Sequence, residues 1–358
     1  MNYRARQAKL LRLLEEQKLD ALLVTHLPNV RYLSGFTGSA GVLLAAPRAV
    51  FFTDGRYTEQ ARQQVQGARV TIAKGSPLAV AARQCQGLKR VGYEADTLTV
   101  TQFHALQQEM GKGIRLVPAS GLVERLRAVK DAGEIEAIRR AVESSSALFR
   151  PWLKHFKPGV TETELAARLE FMARKAGAEG MSFPTIVASG ERSWLPHGVA
   201  SPAALPAQGF VVLDYGIVLG GYCSDMTRTV HLGRATAAEQ VMYGAVLEAQ
   251  LAGISAVAPG TTAGEVDLAA RKVLQKAKLG RYYTHSTGHG VGLEIHEAPR
   301  VGTGSQTVLE PGMVITIEPG AYVPGKGGVR IEDMVLVTAT GYEVLTPVGK
   351  TLLEVHEN

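Results

Sequence analysis

The hydrophobic pattern changes character about a third of the way along the chain. Before that point, short apolar runs (LDALLVT, VLLAAP, AVFFTD and RVGYEAD) bounded by Gly, Pro and Asp alternate with helix-sized stretches, the first over residues 4 to 17. Strands interleaved with helices predict an α/β domain with a mixed sheet. VERLRAVKDAGEIEAIRRAVESSSALF then reads as a long charged amphipathic helix that opens the second part and places a domain boundary at about residue 127. Further on, helices are expected around 134–156, 161–177, 236–257 and 262–278, with capping boxes at Thr161/Glu164 and Thr262/Glu265. The strands FVVLDYGIVL, YCSDMTRTVHL, MVITIEPGAYV and VRIEDMVLVT form hairpins segregated from those helices. This predicts an α+β domain over 128–358, preceded by a smaller α/β domain over 1–127.

One hairpin can be counted. With Gly220 and Gly221 as its two-residue turn, pairing outward sets Asp214 opposite Thr227 and puts Asp225 diagonally across from Asp214 on the same face. Carboxylates with Cβ atoms within about 8 Å repel each other and call for a cation, and hard divalent ions supply one. A pair facing solvent is the alternative, which sits poorly beside the apolar run Val211, Val212, Leu213 because unpaired charge on a buried strand is costly.

Two further stretches carry chemistry. YYTHSTGHGVGLEIHEAP holds His285, His289 and His296 among Gly288, Gly290 and Gly292, which permit close backbone approach around the imidazoles. It is not the helical HExxH zinc signature. LEPGMVITIEPGAYVPGKGGVRIEDMVLV puts Glu318 at the end of one strand and Glu332 in the middle of the next, within a run that reads as buried. Glu332 therefore needs a partner, either Arg330 two positions along the same face or a metal ion, and the spacing leaves both open. Together Asp214, Asp225, His289, Glu318 and Glu332 make a mixed oxygen and nitrogen set suited to two divalent ions, Mn²⁺, Co²⁺, Fe²⁺ or Zn²⁺.

Composition removes some alternatives. A hydrophobic fraction of 46% and a charged fraction of 20%, with no apolar run of membrane-spanning length, argue for a soluble protein with no membrane partner. The net charge of +6 comes from scattered Lys and Arg without a basic run, which argues against a nucleic-acid partner. The opening MNYRARQAKLLRLLEEQKLD lacks an apolar signal core, and Cys85 and Cys223 lack zinc or redox spacing, so a cytoplasmic protein with free thiols is expected.

The motifs LDYG (Asp214), SDMTRT (Asp225), STGHGVGLEIHEAP (His289), TIEPG (Glu318) and VRIEDMVLV (Glu332) resemble those of the pita-bread metallopeptidases, the family of Xaa-Pro aminopeptidases, prolidases, methionine aminopeptidases and creatinases. The resemblance covers nearly the whole chain. It implies a pita-bread catalytic domain after a creatinase-like N-terminal domain, a homodimer, and two metal ions, manganese foremost, on the five ligands above. It also implies roles for other residues. His197 in LPHG looks like the substrate-side histidine, and His285 and His296 resemble those that bind the substrate and the tetrahedral intermediate. Tyr322 and Arg330 are similar to residues that tie the carboxylates into a proton relay, and Glu318 would pass a proton to the leaving nitrogen.

Methionine aminopeptidases lack both the full N-terminal domain and the VRIED form, and creatinases use no metal. The implied activity is that of an Xaa-Pro aminopeptidase acting on peptides with proline in second position. A prolidase restricted to dipeptides and a non-catalytic pita-bread binding protein are the other readings. PNVRYLSGFTGSAG and FFTDGRYTEQA also resemble N-terminal segments of bacterial Xaa-Pro peptidases, although Asp54 and Arg56 there are as compatible with a structural ion pair as with any other role. One departure is ASGERSWLPHG, where Arg192 and Trp194 occupy positions at which related chains often carry small or amide residues, so the shape of the amino-side pocket is open.

Overall fold

A computed structural model describes residues 1–356. The chain divides into two compact units, Met1–Arg127 and Ala128–Asn358.

The first unit is built on a six-stranded sheet in the order Arg69–Ile72, Val50–Thr53, Val42–Ala45, Ala21–Val24, Arg90–Tyr93, Arg115–Pro118. Ala21–Val24 pairs antiparallel with Val42–Ala45 and parallel with Arg90–Tyr93, so the sheet is mixed. The four central strands are the apolar runs read from the sequence. The two edge strands escape that reading because both are four residues long and both begin with an exposed Arg. Arg56 donates to Asp54 through Nε at 3.0 Å and Nη2 at 2.9 Å, a local ion pair on the surface.

The helix expected to run unbroken through residues 123–149 is two helices, Leu122–Ala128 at the end of the first unit and Ala132–Leu153 in the second. The cause is a capping box in which Asp131 accepts from the Glu134 amide and Glu134 accepts from the Asp131 amide, which starts a new helix mid-pattern. Capping boxes at Thr161 and Thr262 start Glu162–Lys175 and Ala263–Lys276 as expected. Ala132–Leu153 and Glu162–Lys175 bury Trp152, Leu165 and Leu169 against Val211, Leu213 and Tyr215 of a four-stranded sheet. Val246 of Ala237–Ser255 and Ala270 and Leu274 of Ala263–Lys276 share a second core with Phe210, Ala321 and Val329.

All four long strands expected in this unit are interrupted. FVVLDYGIVL splits into Gly209–Tyr215 and Ile217–Leu219, and YCSDMTRTVHL into Tyr222–Cys223 and Met226–Leu232. MVITIEPGAYV splits into Val314–Ile317 and Gly320–Val323, and VRIEDMVLVT into Gly327–Arg330 and Asp333–Val337. In each case the two pieces belong to different sheets. Glu332 accordingly lies at a junction between strands, not in the middle of one as the pattern suggested. The counted hairpin keeps its register across the break: Leu219 pairs with Tyr222 and Asp214 with Thr227. Gly220 and Gly221 have φ of 60° and 79°, the left-handed pair that a two-residue hairpin turn requires.

Candidate metal centre

Asp225, Glu318 and Glu332 all sit at strand interruptions, and Asp214 lies two residues before one. Where the chain leaves one ladder for another, the side chain is no longer bound to alternate across a single sheet, and these carboxylates converge. A ligand atom from each of Asp225, His289 and Glu332 lies within 4.8 Å of the other two. His289 Nε2 is 3.6 Å from Asp225 Oδ2 and 3.5 Å from Glu318 Oε1. Its Nδ1 donates to the Gly290 carbonyl at 3.0 Å, which fixes the tautomer and leaves the Nε2 lone pair facing the carboxylates.

The electrostatics of the cluster are unbalanced. Burial, followed by the charges of Glu332, Asp214 and Glu318, holds the Asp225 carboxyl well above the usual carboxylate range. Burial and the charges of Glu318 and Asp214 do the same to Glu332. Burial pushes Glu318 up to about 8 even though Arg330 pulls it down. One guanidinium faces four carboxylates, and Oδ1 of both Asp214 and Asp225 is buried without a hydrogen-bond partner. Divalent cations fit this donor set, because hard oxygen ligands plus one imidazole would satisfy the orphaned oxygens and neutralise the charge.

Arg330 does not pair with Glu332. Its Nη2 donates to Asp214 Oδ2 at 2.6 Å, Nη1 donates to Tyr322 Oη at 2.7 Å and to the Pro196 carbonyl at 2.9 Å, and Nε donates to Thr227 Oγ1 at 3.1 Å. Glu332 instead accepts from Thr227 Oγ1 at 2.7 Å. Tyr322 Oη continues the chain to His285 Nε2 at 2.9 Å, while His285 Nδ1 donates to the Ser286 carbonyl at 2.8 Å. Burial lowers His285 to about 4, so its ring is neutral, with the proton on Nδ1, and Nε2 accepts from Tyr322. Both ring nitrogens of His285 are thus engaged, and in this arrangement it has no proton to donate to a substrate. His296 stacks edge-on to His289 with centroids 4.4 Å apart.

The cluster opens into a cavity of about 550 Å³ whose wall includes all of Asp214, Asp225, His289, Glu318, Glu332, His197, His285, His296 and Arg330. Tyr322 is buried behind that wall. Reading the sequence missed Phe183, Pro184, Ile186 and Ile295, which give the cavity an apolar side, and Arg300, whose Nε donates to Ser286 Oγ at 2.8 Å. Arg300 carried a signal, since it is a cation four positions after His296 on the strand Glu297–Val301. Arg192 and Trp194 are not on the wall. Arg192 turns to Glu162. A larger groove of about 710 Å³, lined by Arg150, Lys154 and Lys157 beside the strand Glu354–Val355, gathers no comparable cluster.

The profile of metallopeptidase family M24 matches residues 136–339, and that of the creatinase/prolidase N-terminal domain matches residues 6–129. An uncharacterized peptidase of Bacillus subtilis, YqhT, is 41% identical over 348 residues, 96% of this chain and 98% of that one. Among solved structures, the Xaa-Pro dipeptidase from Bacillus anthracis superposes with a TM-score of 0.96 at 43% identity, covering 98% of this chain and 99% of that one. The X-Pro aminopeptidase from Thermotoga maritima superposes with a TM-score of 0.88 at 35% identity, covering 95% and 99%.

Proposed function

The chain belongs to metallopeptidase family M24, with a pita-bread domain preceded by a creatinase-type N-terminal domain, and from that premise we propose that it is an exopeptidase cleaving the bond between an N-terminal residue and proline. The observation that carries the reading is the convergence of Asp214, Asp225, Glu318, Glu332 and His289 on one cavity, where Arg330 bonds directly to only one of the four carboxylates, Asp214. In this proposal Asp214, Asp225, His289, Glu318 and Glu332 hold two divalent ions, manganese foremost. Such ions, when bound, supply Lewis acidity to a carbonyl and bring the pKa of water toward neutrality.

The chain's own residues do the rest. Glu318 takes a proton from the attacking water and delivers it to the proline nitrogen as the C–N bond breaks and the new C–O bond forms. Arg330 holds Asp214 and Tyr322 in fixed orientation, and Tyr322 in turn holds His285. His296 and His197 stand on the cavity wall as the side chains positioned to meet substrate. The apolar side made by Phe183, Ile186 and Ile295 suits the hydrophobic parts of a short peptide and excludes water from the reacting bond. The buried cysteines Cys85 and Cys223, which lack zinc or redox spacing, support a reducing, cytoplasmic setting, and a homodimer is the proposed assembly.

A second reading, a prolidase confined to dipeptides, is favoured by Arg300, a guanidinium on the cavity wall suited to the free carboxylate of a dipeptide. The test is hydrolysis of Gly-Pro and Gly-Pro-Xaa peptides by protein stripped with chelator and reloaded with Mn²⁺, Co²⁺ or Zn²⁺. Release of the N-terminal residue from the tripeptide supports the aminopeptidase, and cleavage of the dipeptide alone supports the prolidase. No turnover of either by stoichiometrically loaded protein would sink both.

A further inference from the structure

The loop between Ser189 and Ser201 carries Pro196, His197 and Val199 onto the cavity wall, and a buried carboxylate outside the cavity fastens it. Glu162 is the first residue of the helix Glu162–Lys175, and its side chain is fully buried. It accepts from the Ser189 amide at 2.8 Å and hydroxyl at 2.8 Å where the loop begins. It accepts from the Ser201 amide at 3.1 Å and hydroxyl at 2.6 Å where the loop ends. From inside the loop, Arg192 adds a fifth bond, Nε to Oε2 at 3.0 Å, and Arg192 Nη2 reaches across to the Val199 carbonyl at 2.9 Å. One guanidinium fork therefore ties the middle of the loop both to its anchor and to its far arm.

The far side of the loop is constrained as well. The Pro196 carbonyl accepts from Arg330 Nη1 at 2.9 Å, and a Cβ on Gly198 would lie 2.7 Å from Ala188 Cβ. Beyond these points Val199 pairs with Ile186 in an antiparallel bridge and the Ala200 amide donates to the Thr185 carbonyl at 3.2 Å, while the Val199 carbonyl accepts from Arg192 and the Val199 side chain, half exposed, lines the cavity. We propose that Arg192, clamped by Glu162, is a positioning residue that sets the His197–Val199 segment and so tunes which side chain is accepted on the amino side of the scissile bond. This deepens the Xaa-Pro reading above and rests on it. It also accounts for the arginine at a position where a small or amide residue was expected. The side chain is not a cavity obstacle, because it is drawn backward by a buried carboxylate. Lysine cannot replace it, since a single ammonium lacks the fork geometry that serves Glu162 and Val199 together.

The test compares wild type, Arg192→Lys and Arg192→Ala, each loaded with Mn²⁺, on Gly-Pro, Ala-Pro, Leu-Pro and Phe-Pro, alongside amide hydrogen exchange over residues 190–201. Loss of the charged bond and the carbonyl bond should speed exchange in that segment about tenfold or more in both variants. KM should rise by about fivefold to tenfold, and the preference among the four substrates should narrow, with kcat and metal content within about twofold of wild type. Unchanged exchange in Arg192→Ala would overturn the clamp. Faster exchange with an unchanged substrate preference would overturn its role in selectivity, as would a parallel fall of kcat and metal content. If wild type cleaves neither these four nor the corresponding Xaa-Pro-Xaa tripeptides, the functional reading fails, and the exchange measurement still decides whether the clamp exists.

Discussion

Arg330 and Asp214 are bonded at 2.6 Å, Nη2 to Oδ2, with both side chains largely buried, so the guanidinium of the cluster is committed to the first of its four carboxylates. The same guanidinium holds Tyr322 Oη, the Pro196 carbonyl and Thr227 Oγ1. Arg330→Lys keeps a positive charge but cannot span four partners lying in different directions. The expected outcome is a kcat lower by about tenfold to a hundredfold, with metal content equal to that of wild type, because orientation is lost and not charge. Steady-state kinetics with metal analysis of the same sample checks this. A variant with wild-type kcat would show that the fork has no part in turnover.

The raised carboxyls make a prediction about metal-free protein. Asp225, Glu318 and Glu332 have folded-state pKa values above their ordinary ones, so the folded chain binds more protons than the unfolded chain, and their contribution is lost as pH rises, for Glu318 through about 8. His285 and His289, lowered by burial to about 4, act in the opposite sense, but only below their ordinary value of 6.5. The clean window is therefore above 6.5, and there the melting temperature of chelated protein should fall toward pH 8 and beyond. Adding Mn²⁺ should raise it by an amount that grows over the same interval, since ligation replaces protons. Thermal melts with and without metal across this range measure both. A chelated protein whose melting temperature is flat or rises there would contradict the buried, metal-dependent cluster.

The sequence reveals this site unevenly, for physical reasons. The Asp214–Thr227 register is legible because two glycines fix a tight turn and pairing is then a matter of counting. The positions of Asp225, Glu318 and Glu332 at strand breaks are not. The apolar pattern runs on through each break, and the exchange of sheets is set by tertiary pairing. The same limit hid the Asp131 capping box inside a helical period, and left Glu332 between two candidate partners when Thr227 supplies its hydrogen bond. Phe183 and Ile186 lie more than a hundred residues before Ile295 and Arg300, and the two segments share a wall only when the cavity forms.

Removing ligands should separate the members of the cluster from their neighbours. Asp225→Asn keeps shape and volume but gives up a carboxylate whose Oδ1 is unpartnered and whose Oδ2 faces His289. His289→Ala removes the one imidazole of the set. Each should lose at least one metal equivalent and reduce kcat/KM by about a hundredfold or more. In chelated protein Asp225→Asn should be no less stable than wild type, because the cluster then carries one fewer buried acid. Full metal content with full activity in either variant would mean that the ions sit elsewhere.

Arg300 decides between the two functional readings. Its Nε donates to Ser286 Oγ and the residue lines the cavity, and in the prolidase reading its guanidinium meets the carboxylate of a dipeptide where a longer peptide would place a neutral amide. If that contact selects dipeptides, Arg300→Ala should weaken Gly-Pro by about 1.5–3 kcal/mol in kcat/KM, the worth of a charge-assisted hydrogen bond, and leave Gly-Pro-Xaa nearly unchanged. Arg300→Lys should recover part of the dipeptide activity through charge alone. Equal losses on both substrates would instead mark Arg300 as a support for the Ser286 segment, and its place on the wall would then say nothing about peptide length.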